Sequence, residues 1–339
     1  MYMKKLLFIG LALLLSCGIG YGQDARNGTN SASELLVPVG AQYLQGGGAA
    51  AMAAGLEGAL WNPAALDQGE HSVMATFSRR NYIADIGVNF AATGLRFEGL
   101  GAIGVSLRSF DIGEIPITDE FNMDGTGGTF TPTIFILGGI YSKQLADRIR
   151  VGVAANLVNE TIAEVEASTV TFDAGVQYDD FLNINSLNIG ISVRNVGTAM
   201  TFDGPGLLVD ANERTAERGV TKYKITPMDA DMPTVADLGI VYTPITNLNV
   251  GVSYLENNYG PNGVKLLGEY SLGEYGALRA SYQAPAQDQG ALEDIFAGAA
   301  FGATLNLEPF VGTAMSLDYG YLPVKYFSNN QVFSLRVGF

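Results

Sequence analysis

From Ser72 onward, apolar and polar positions alternate with a period of two. In the last ten residues Phe333, Leu335, Val337 and Phe339 alternate with Ser334, Arg336 and Gly338. Successive side chains of a strand point to opposite faces. One face of this segment is therefore wholly apolar, and the other carries a hydroxyl, a charge and a glycine. Leu187, Ile189, Ile191 and Val193 alternate in the same way with Asn188, Gly190, Ser192 and Arg194. Leu248, Val250, Val252 and Tyr254 alternate with Asn249, Gly251 and Ser253, and Val151, Val153, Ala155 and Leu157 with Gly152, Ala154 and Asn156. Val170, Phe172, Ala174, Val176 and Tyr178 alternate with Thr171, Asp173, Gly175 and Gln177. The pattern predicts about fourteen strands, at 72–80, 85–97, 99–110, 131–144, 148–162, 169–179, 185–195, 233–243, 247–257, 262–272, 275–284, 295–304, 312–322 and 330–339. Thr131 to Lys143 is apolar on both faces, so its direction stays open.

The second face separates two all-β architectures. A soluble sandwich would set many Lys and Glu residues in water. Here that face is small and weakly polar, which suits an interior crowded by something else or lined for a partly apolar guest. Loop lengths give an independent check, because transmembrane barrels have short turns at one end and long loops at the other. Brief connections fall around Glu98, Ala146, Asp180 to Ile184, Pro244 to Thr246 and Gly273-Glu274. The two longest, Asp111 to Phe130 and Val196 to Met232, both belong to the opposite end. The prediction is an all-β chain: a fourteen-stranded antiparallel transmembrane β-barrel with its long loops on the cell exterior.

Gln23 to His71 does not alternate. It is rich in Gly, Ala and Ser, with a short helix expected between Ala49 and Ala59. Some fifty residues of this composition before the first strand predict a plug folded into the periplasmic mouth of the barrel. Ahead of it, Lys4 and Lys5 precede an apolar run, Leu6 to Leu15, then Gly20-Tyr21-Gly22. That order reads as a secretory signal cut after Gly22, and the run falls short of the ~20 residues a spanning helix needs. Leu14-Leu15-Ser16-Cys17 also resembles a loose lipoprotein box, with Leu15 a poor fit. The expected organisation is a signal peptide at 1–22, a plug or hatch at 23–71 and the barrel at 72–339.

Composition agrees and removes several chemistries. Glycine breaks helices and aromatics favour strands, and the chain has 43 Gly, 16 Tyr and 17 Phe. The net charge is −15, and loss of the two charges of Lys4 and Lys5 makes it −17. Phosphate contacts need Lys and Arg clusters, so no nucleic acid is expected as a partner. The acid gathers at Asp111 to Asp124, Asp203 to Asp231 and Gln287 to Asp294. With one His, His71, and one Cys, no catalytic residue, cofactor or metal is expected. Asp119-Glu120 and Asp229-Ala230-Asp231 read as solvated loops rather than calcium sites. Gly99-Leu100-Gly101-Ala102-Ile103-Gly104 spells a dinucleotide fingerprint, but a strand follows it where a helix is required. Lys265 with Glu269, and Arg279 with Ser281 and Gln283, share strand faces and are expected as lumen-lining pairs that stiffen the wall.

Ser31 to Ala41 leads to Gly46-Gly47-Gly48-Ala49-Ala50 and then to Ala59-Leu60-Trp61-Asn62-Pro63-Ala64-Ala65-Leu66. This resembles the amino-terminal signature of the PorV/PorQ-like outer-membrane proteins, within the wider FadL-like group of fourteen-stranded barrels. The terminal Phe339 resembles the assembly signal of bacterial outer-membrane barrels. Trp61, Asn62, Pro63 and Ala64 form the plug motif: proline holds Asn62 out of helical geometry, the Asn amide bonds loop backbone, and Trp61 anchors the plug to the inner wall. The resemblance implies a non-enzymatic accessory component of the type IX secretion system in the bacterial outer membrane. It would bind secreted cargo, or a translocon or attachment-complex subunit, through Phe121, Phe130, Phe202 and Tyr223 of the outer loops. The alternative is a FadL-like conduit for hydrophobic small molecules. A conduit predicts a hydrophobic ligand or detergent in the lumen and a break in the strand wall, whereas partner binding predicts a sealed lumen.

Overall fold

The computed structural model describes residues 29–44, 46, 48–69, 71–211, 221–260, 262–284 and 295–339. The signal expected at 1–22, with Cys17, and the acidic stretch Gln287 to Asp294 lie outside the described residues. The wall consists of β1 (Val73–Asn81), β2 (Gly87–Phe97), β3 (Gly101–Asp111), β4 (Thr133–Ala146), β5 (Ile149–Ile162), β6 (Val165–Tyr178) and β7 (Leu187–Gly197). It continues through β8 (Val235–Ile245), β9 (Leu248–Asn257), β10 (Gly263–Ser271), β11 (Gly276–Gln283), β12 (Gly298–Asn306), β13 (Met315–Leu322) and β14 (Asn330–Gly338). Each strand pairs antiparallel with its neighbours in sequence, and β14 returns to β1, so the barrel is closed. Phe339 completes the seam: its N–H donates to the Val73 carbonyl at 2.9 Å and its carbonyl accepts from Val73 at 3.0 Å.

All fourteen predicted strands are present, and the faces follow the alternation. Phe77, Ile191, Phe301, Leu317, Phe333 and Leu335 point outward and are exposed, as a wall in contact with lipid requires. Thr76, Ser78, Ser192, Ser334 and Gly338 point inward and are buried. The undecided strand β4 turns Leu137 and Tyr141 outward and Ile136 and Ile140 inward. Its inner face is apolar because Ile136 and Ile140 pack against residues that fill the lumen. Short turns join β2 to β3, β4 to β5 and β8 to β9, while 112–132 and 198–234 leave the opposite end.

Two local differences have clear causes. Strand β6 begins at Val165 rather than near 169, because β5 and β6 meet in a two-residue turn, Ala163-Glu164, with Ala163 at φ 51°. Glu166 then exchanges both backbone hydrogen bonds with Asp203 of the long loop, so this polar stretch stays extended. The single helix expected at Ala49 to Ala59 is two, α1 (Ala49–Met52) and α2 (Gly55–Ala59). Gln177 Nε2 donates to the Ala50 and Ala53 carbonyls at 3.3 and 2.9 Å, which supplies the end of α1 with a partner from the wall.

The described residues between 29 and 69 lie inside the barrel. The segment is not confined to one mouth. It starts at the long-loop end, where Ser31 N–H donates to the Asp231 carbonyl, and reaches the short-turn end at Gly69, beside Met74. Val37, Val39, Leu56, Ala59 and Leu66 pack on Val88, Phe90, Ala102 and Ile140 of the wall. Leu35 packs on Ile136, Val158, Met200 and Met232, which seals its upper end apolarly.

This segment has little regular structure, so its backbone groups must find side-chain partners. The wall supplies them around much of its circumference. Ser78 and Ser334 hydroxyls accept from Gly40 and Ala41 N–H at 3.2 and 2.9 Å. Ser142 and Ser192 donate to the Ala64 and Trp61 carbonyls at 2.9 and 2.8 Å. Asp67 accepts from Gln144 N–H at 2.8 Å and pairs with Arg96 at 3.3 Å. Fully buried Asn62 does most: its Oδ1 accepts from Ala64 N–H at 3.0 Å and starts the 3₁₀ turn Pro63–Gln68. Its Nδ2 donates to Ala50, Val176 and Ile191 carbonyls at 2.7, 3.1 and 3.4 Å. Such proximity needs bare backbone on the wall. A Cβ at Gly175 would lie 2.0 Å from Asn62 Oδ1, and one at Gly190 would lie 1.9 Å from the Ala50 oxygen.

Two outcomes follow for stability, read as the temperature at which the folded barrel loses its compact migration in a heat-modifiability gel. Gly190→Val should lower it, since overfilling a packed contact costs roughly 1–3 kcal/mol. Asn62→Ala should cost about 1–3 kcal/mol for the buried hydrogen bonds it removes. Asn62→Asp should be worse, because it keeps the Ala64 bond but aims a carboxylate at three carbonyls. Wild-type behaviour of Asn62→Asp would refute the role given to the amide.

Candidate functional site

The inner segment divides the lumen. Above it, toward the long loops, is a cavity of about 380 Å³; below it, toward the short turns, is one of about 360 Å³. The floor of the upper cavity is apolar and comes from the segment itself: Leu35, Val37, Val39, Leu44, Leu60 and Trp61. The walls add Ile136, Val235, Leu255 and Leu322, with Phe296 from the loop before β12. Tyr82 stacks on Phe296 with centroids 5.7 Å apart, and Arg80 lies 5.4 Å from the Tyr82 ring centre.

Against this apolar lining stand four cations, Arg80, Arg108, Arg194 and Lys265, and one carboxylate, Asp173. The arginines hold the segment by its carbonyls. Arg80 Nη1 donates to Pro38 at 2.8 Å, and Arg194 Nη1 to Leu60 at 3.1 Å. Arg108 Nη1 reaches Glu34, Leu35 and Val37 at 3.3–3.4 Å. Each of the three buries an Nε–H for which no partner exists among the described residues. The three arginines line one cavity, and their positive charge there favours an occupant with acceptor oxygens. Asp173 forms no ion pair with them among the described residues; its oxygens accept from Asn195 N–H at 2.7 Å and Asn156 Nδ2 at 2.9 Å.

The lower cavity is polar. It is bounded by Gln42, Glu57, Glu269, Arg279, Thr304 and Arg336. A lateral chain of hydrogen bonds crosses six strands there. Asn249 donates to Glu269 at 3.0 Å, and Arg279 pairs with Glu269 and donates to Thr304 at 2.6 Å. Thr304 bonds Asp318, which takes Arg336 in a fork at 2.7 and 3.0 Å. Glu269 and Arg279, both expected to line the lumen, pair with each other across β10 and β11. His71 packs on Gly338 at the rim of this cavity.

The four motif residues form one unit in the floor: Trp61 is walled by Arg194 at 5.2 Å and Lys265 at 5.5 Å, and Asn62, Pro63 and Ala64 are buried beneath it. The four loop aromatics do not converge. Phe130 pairs with Ile115 in a hairpin, and Phe121 is 86% exposed beyond it. The Asn122 side chain and the Phe121 and Asn122 amides hold the Asp119 carboxyl below its ordinary value. Tyr223 lies in a second hairpin opposite Val209, while Phe202 turns inward onto the Met200 and Met232 cluster. Phe339 is 69% exposed on the outer surface beside the seam. Arg80 and Arg108 were not singled out from sequence. The available signal was an arginine at an inward position, as at Arg194. The wall is hydrogen-bonded all the way round, but its register shifts between Phe172 and Ala174, beside the upper cavity. There Asn195, at φ 61°, and Arg194 are the extra residues of β7.

No protein-family model and no curated protein matches this sequence. Solved structures do. A FadL homologue from Pseudomonas aeruginosa aligns over 86% of this chain and 95% of its own, with a TM-score of 0.50 and 13% identity. The toluene transporter TodX from Pseudomonas putida aligns over 86% of this chain and 94% of its own, with a TM-score of 0.53 and 10% identity. A TodX monoaromatic hydrocarbon channel mutant aligns over 89% and 97%, with a TM-score of 0.50 and 12% identity. The likeness to these structures is one of fold, and in this chain that fold is a closed antiparallel wall of fourteen strands.

Proposed function

We propose that this protein is an outer-membrane conduit for hydrophobic small molecules, and that it receives an amphipathic one in the upper cavity. The carrying observation is the lining: an apolar floor of Leu35, Val37, Leu60 and Trp61 together with the cationic side chains of Arg80, Arg108 and Arg194. The apolar part of the molecule lies on the floor, and acceptor oxygens, best on an anionic head, face Arg80, Arg108 and Arg194. Charge-assisted bonds to such a head are roughly twice as strong as neutral ones. The similar structures support this choice, since they include a toluene transporter and a monoaromatic hydrocarbon channel. A type IX secretion accessory, with cargo or translocon partners at the loops, is the weaker reading. Its support is the Ser31 to Leu66 motif, while Phe202 packs on the Met200 and Met232 cluster. Residues 23–71 act in this proposal as the plug, and Phe339 as the assembly signal. No step makes or breaks a covalent bond.

The chain has one tryptophan, and it forms part of the cavity floor. In nanodiscs, n-octanesulfonate should change Trp61 fluorescence saturably. Octyltrimethylammonium, with the same chain and the opposite charge, should not. Arg108→Gln and Arg194→Gln should each weaken the sulfonate response about tenfold, as expected for one lost bond to a charged group. Equal responses to both probes, or none to the sulfonate, would overturn the proposal.

A further inference from the structure

Asp237 stands apart from the ion pairs of the lower cavity. It points inward from β8 and is 1% exposed. One inward position toward the long loops, Val235 lines the upper cavity. One inward position toward the short turns, a Cβ at Gly239 would lie 3.1 Å from the Ala51 nitrogen of the inner segment. Asp237 therefore sits where the cavity gives way to packed segment. Both of its oxygens are buried and accept no hydrogen bond among the described residues. The hydroxyls beside it are turned to other uses or unbonded. Ser192, its register partner on β7, donates to the Trp61 carbonyl at 2.8 Å. Ser253, diagonal to it on β9, is buried and makes no hydrogen bond among the described residues.

Compensation for Asp237 comes from charge instead. The cations that act on it are Arg194 of β7 and Lys265 of β10. Arg194 lies diagonally across from it, since Val235 pairs with Arg194 and Asp237 with Ser192. The same two cations lie 5.2 and 5.5 Å from the Trp61 ring centre and line the upper cavity. Strand β9 sets uncharged Leu255 and Ser253 beside Asp237, and the inner segment brings uncharged Gly48, Ala50 and Ala51 against Gly239. A buried charge that leans on Coulomb attraction alone is costly. An anionic head drawn to Arg194 and Lys265 meets the negative charge of Asp237 through a floor of low dielectric.

We infer that Asp237 opposes the anionic head of the transported molecule, so that the head is held tightly when Asp237 carries a proton and loosely when it does not. Asp237 acts through Arg194 and Lys265 and does not touch the ligand. This rests on the proposed conduit function and adds how the ligand is let go, since a conduit must bind well enough to admit a molecule and weakly enough to release it. The coupling is reciprocal: a proton on Asp237 favours the anion, and a bound anion favours the proton.

The probe is n-octanesulfonate, whose head keeps its charge across the working range. Its affinity, read from Trp61 fluorescence in nanodiscs, should be about tenfold tighter at about pH 5.5 than at about pH 8.5, as expected for one charge acting across a few side chains. Asp237→Asn keeps the side-chain shape and should bind at the tight value at both pH values, which removes most of the slope. Lys265, Asp173 and Glu34 remain in that variant, so a slope that they cause persists in it. A folding defect weakens binding, the opposite sign, and shows by heat-modifiability. A flat profile in the unmodified protein overturns the inference. So does a folded Asp237→Asn that keeps the full slope or binds more weakly at the higher pH, and in each case the conduit reading stands. No response to the sulfonate in the unmodified protein overturns the conduit reading and this inference together.

Discussion

Irregular backbone held inside a closed wall has to find its hydrogen-bond partners on that wall. This requirement shapes most of the lumen. Residues 29–69 carry only short helical turns, so several of their N–H and C=O groups are taken up by Ser78, Ser142, Ser192, Ser334 and Gln177 of the wall. Each of these must sit at an inward position of known depth. Bulk near them is excluded, which is why Gly175 and Gly190 face the same side. The small, weakly polar inner face is thus the imprint of the segment that fills it. Leaving one such group unpaired would cost about 1–3 kcal/mol, a large share of the marginal stability of a folded chain.

The lumen also concentrates charge of the sign opposite to the whole. The chain is acidic overall, at −15, yet the upper cavity presents four cations and one carboxylate. Between low-dielectric walls such charges act over longer distances than in water. The lower half behaves differently, because Glu269, Arg279, Asp318 and Arg336 are matched in pairs. Removing one member of a buried pair strands its partner at a cost of about 3–5 kcal/mol. The matched chain serves the wall, and the unmatched arginines serve the cavity.

How far the sequence reached can be judged from particular residues. Strand β14 was legible because Phe333, Leu335 and Phe339 keep one side and Ser334 and Arg336 the other. The same period located every strand of the wall. Crowding of the lumen was legible in the size of Gly190 and Ser192, and a plug was expected from the composition of residues 23–71, but its contacts with the wall were not. Nothing local to Asn62 says that it reaches Val176 and Ile191, more than a hundred residues away. The start of β6 was missed because Glu164 and Glu166 look like loop residues until Asp203 arrives to pair with them. The span of the inner segment from one mouth to the other depends on a contact with Asp231, which no periodicity encodes. The cations of the cavity belong to strands far apart in sequence, and only closure brings Arg80, Arg108 and Arg194 together.

The seam between β1 and β14 has a kinetic meaning. Ala41 donates to Ser334 across 293 residues, and Val73 pairs with Phe339. Contacts of such sequence separation form slowly, because the loop entropy is lost before the contact rewards it. The inner segment, though it leads the chain, cannot complete its own hydrogen bonding until the trailing strand is in place. Folding of this barrel is therefore last-in, first-needed: β14 both shuts the cylinder and supplies the lock for the turn at Gly40 and Ala41. A chain stalled before that step would hold an open sheet edge and a lumen segment still hydrated on one flank.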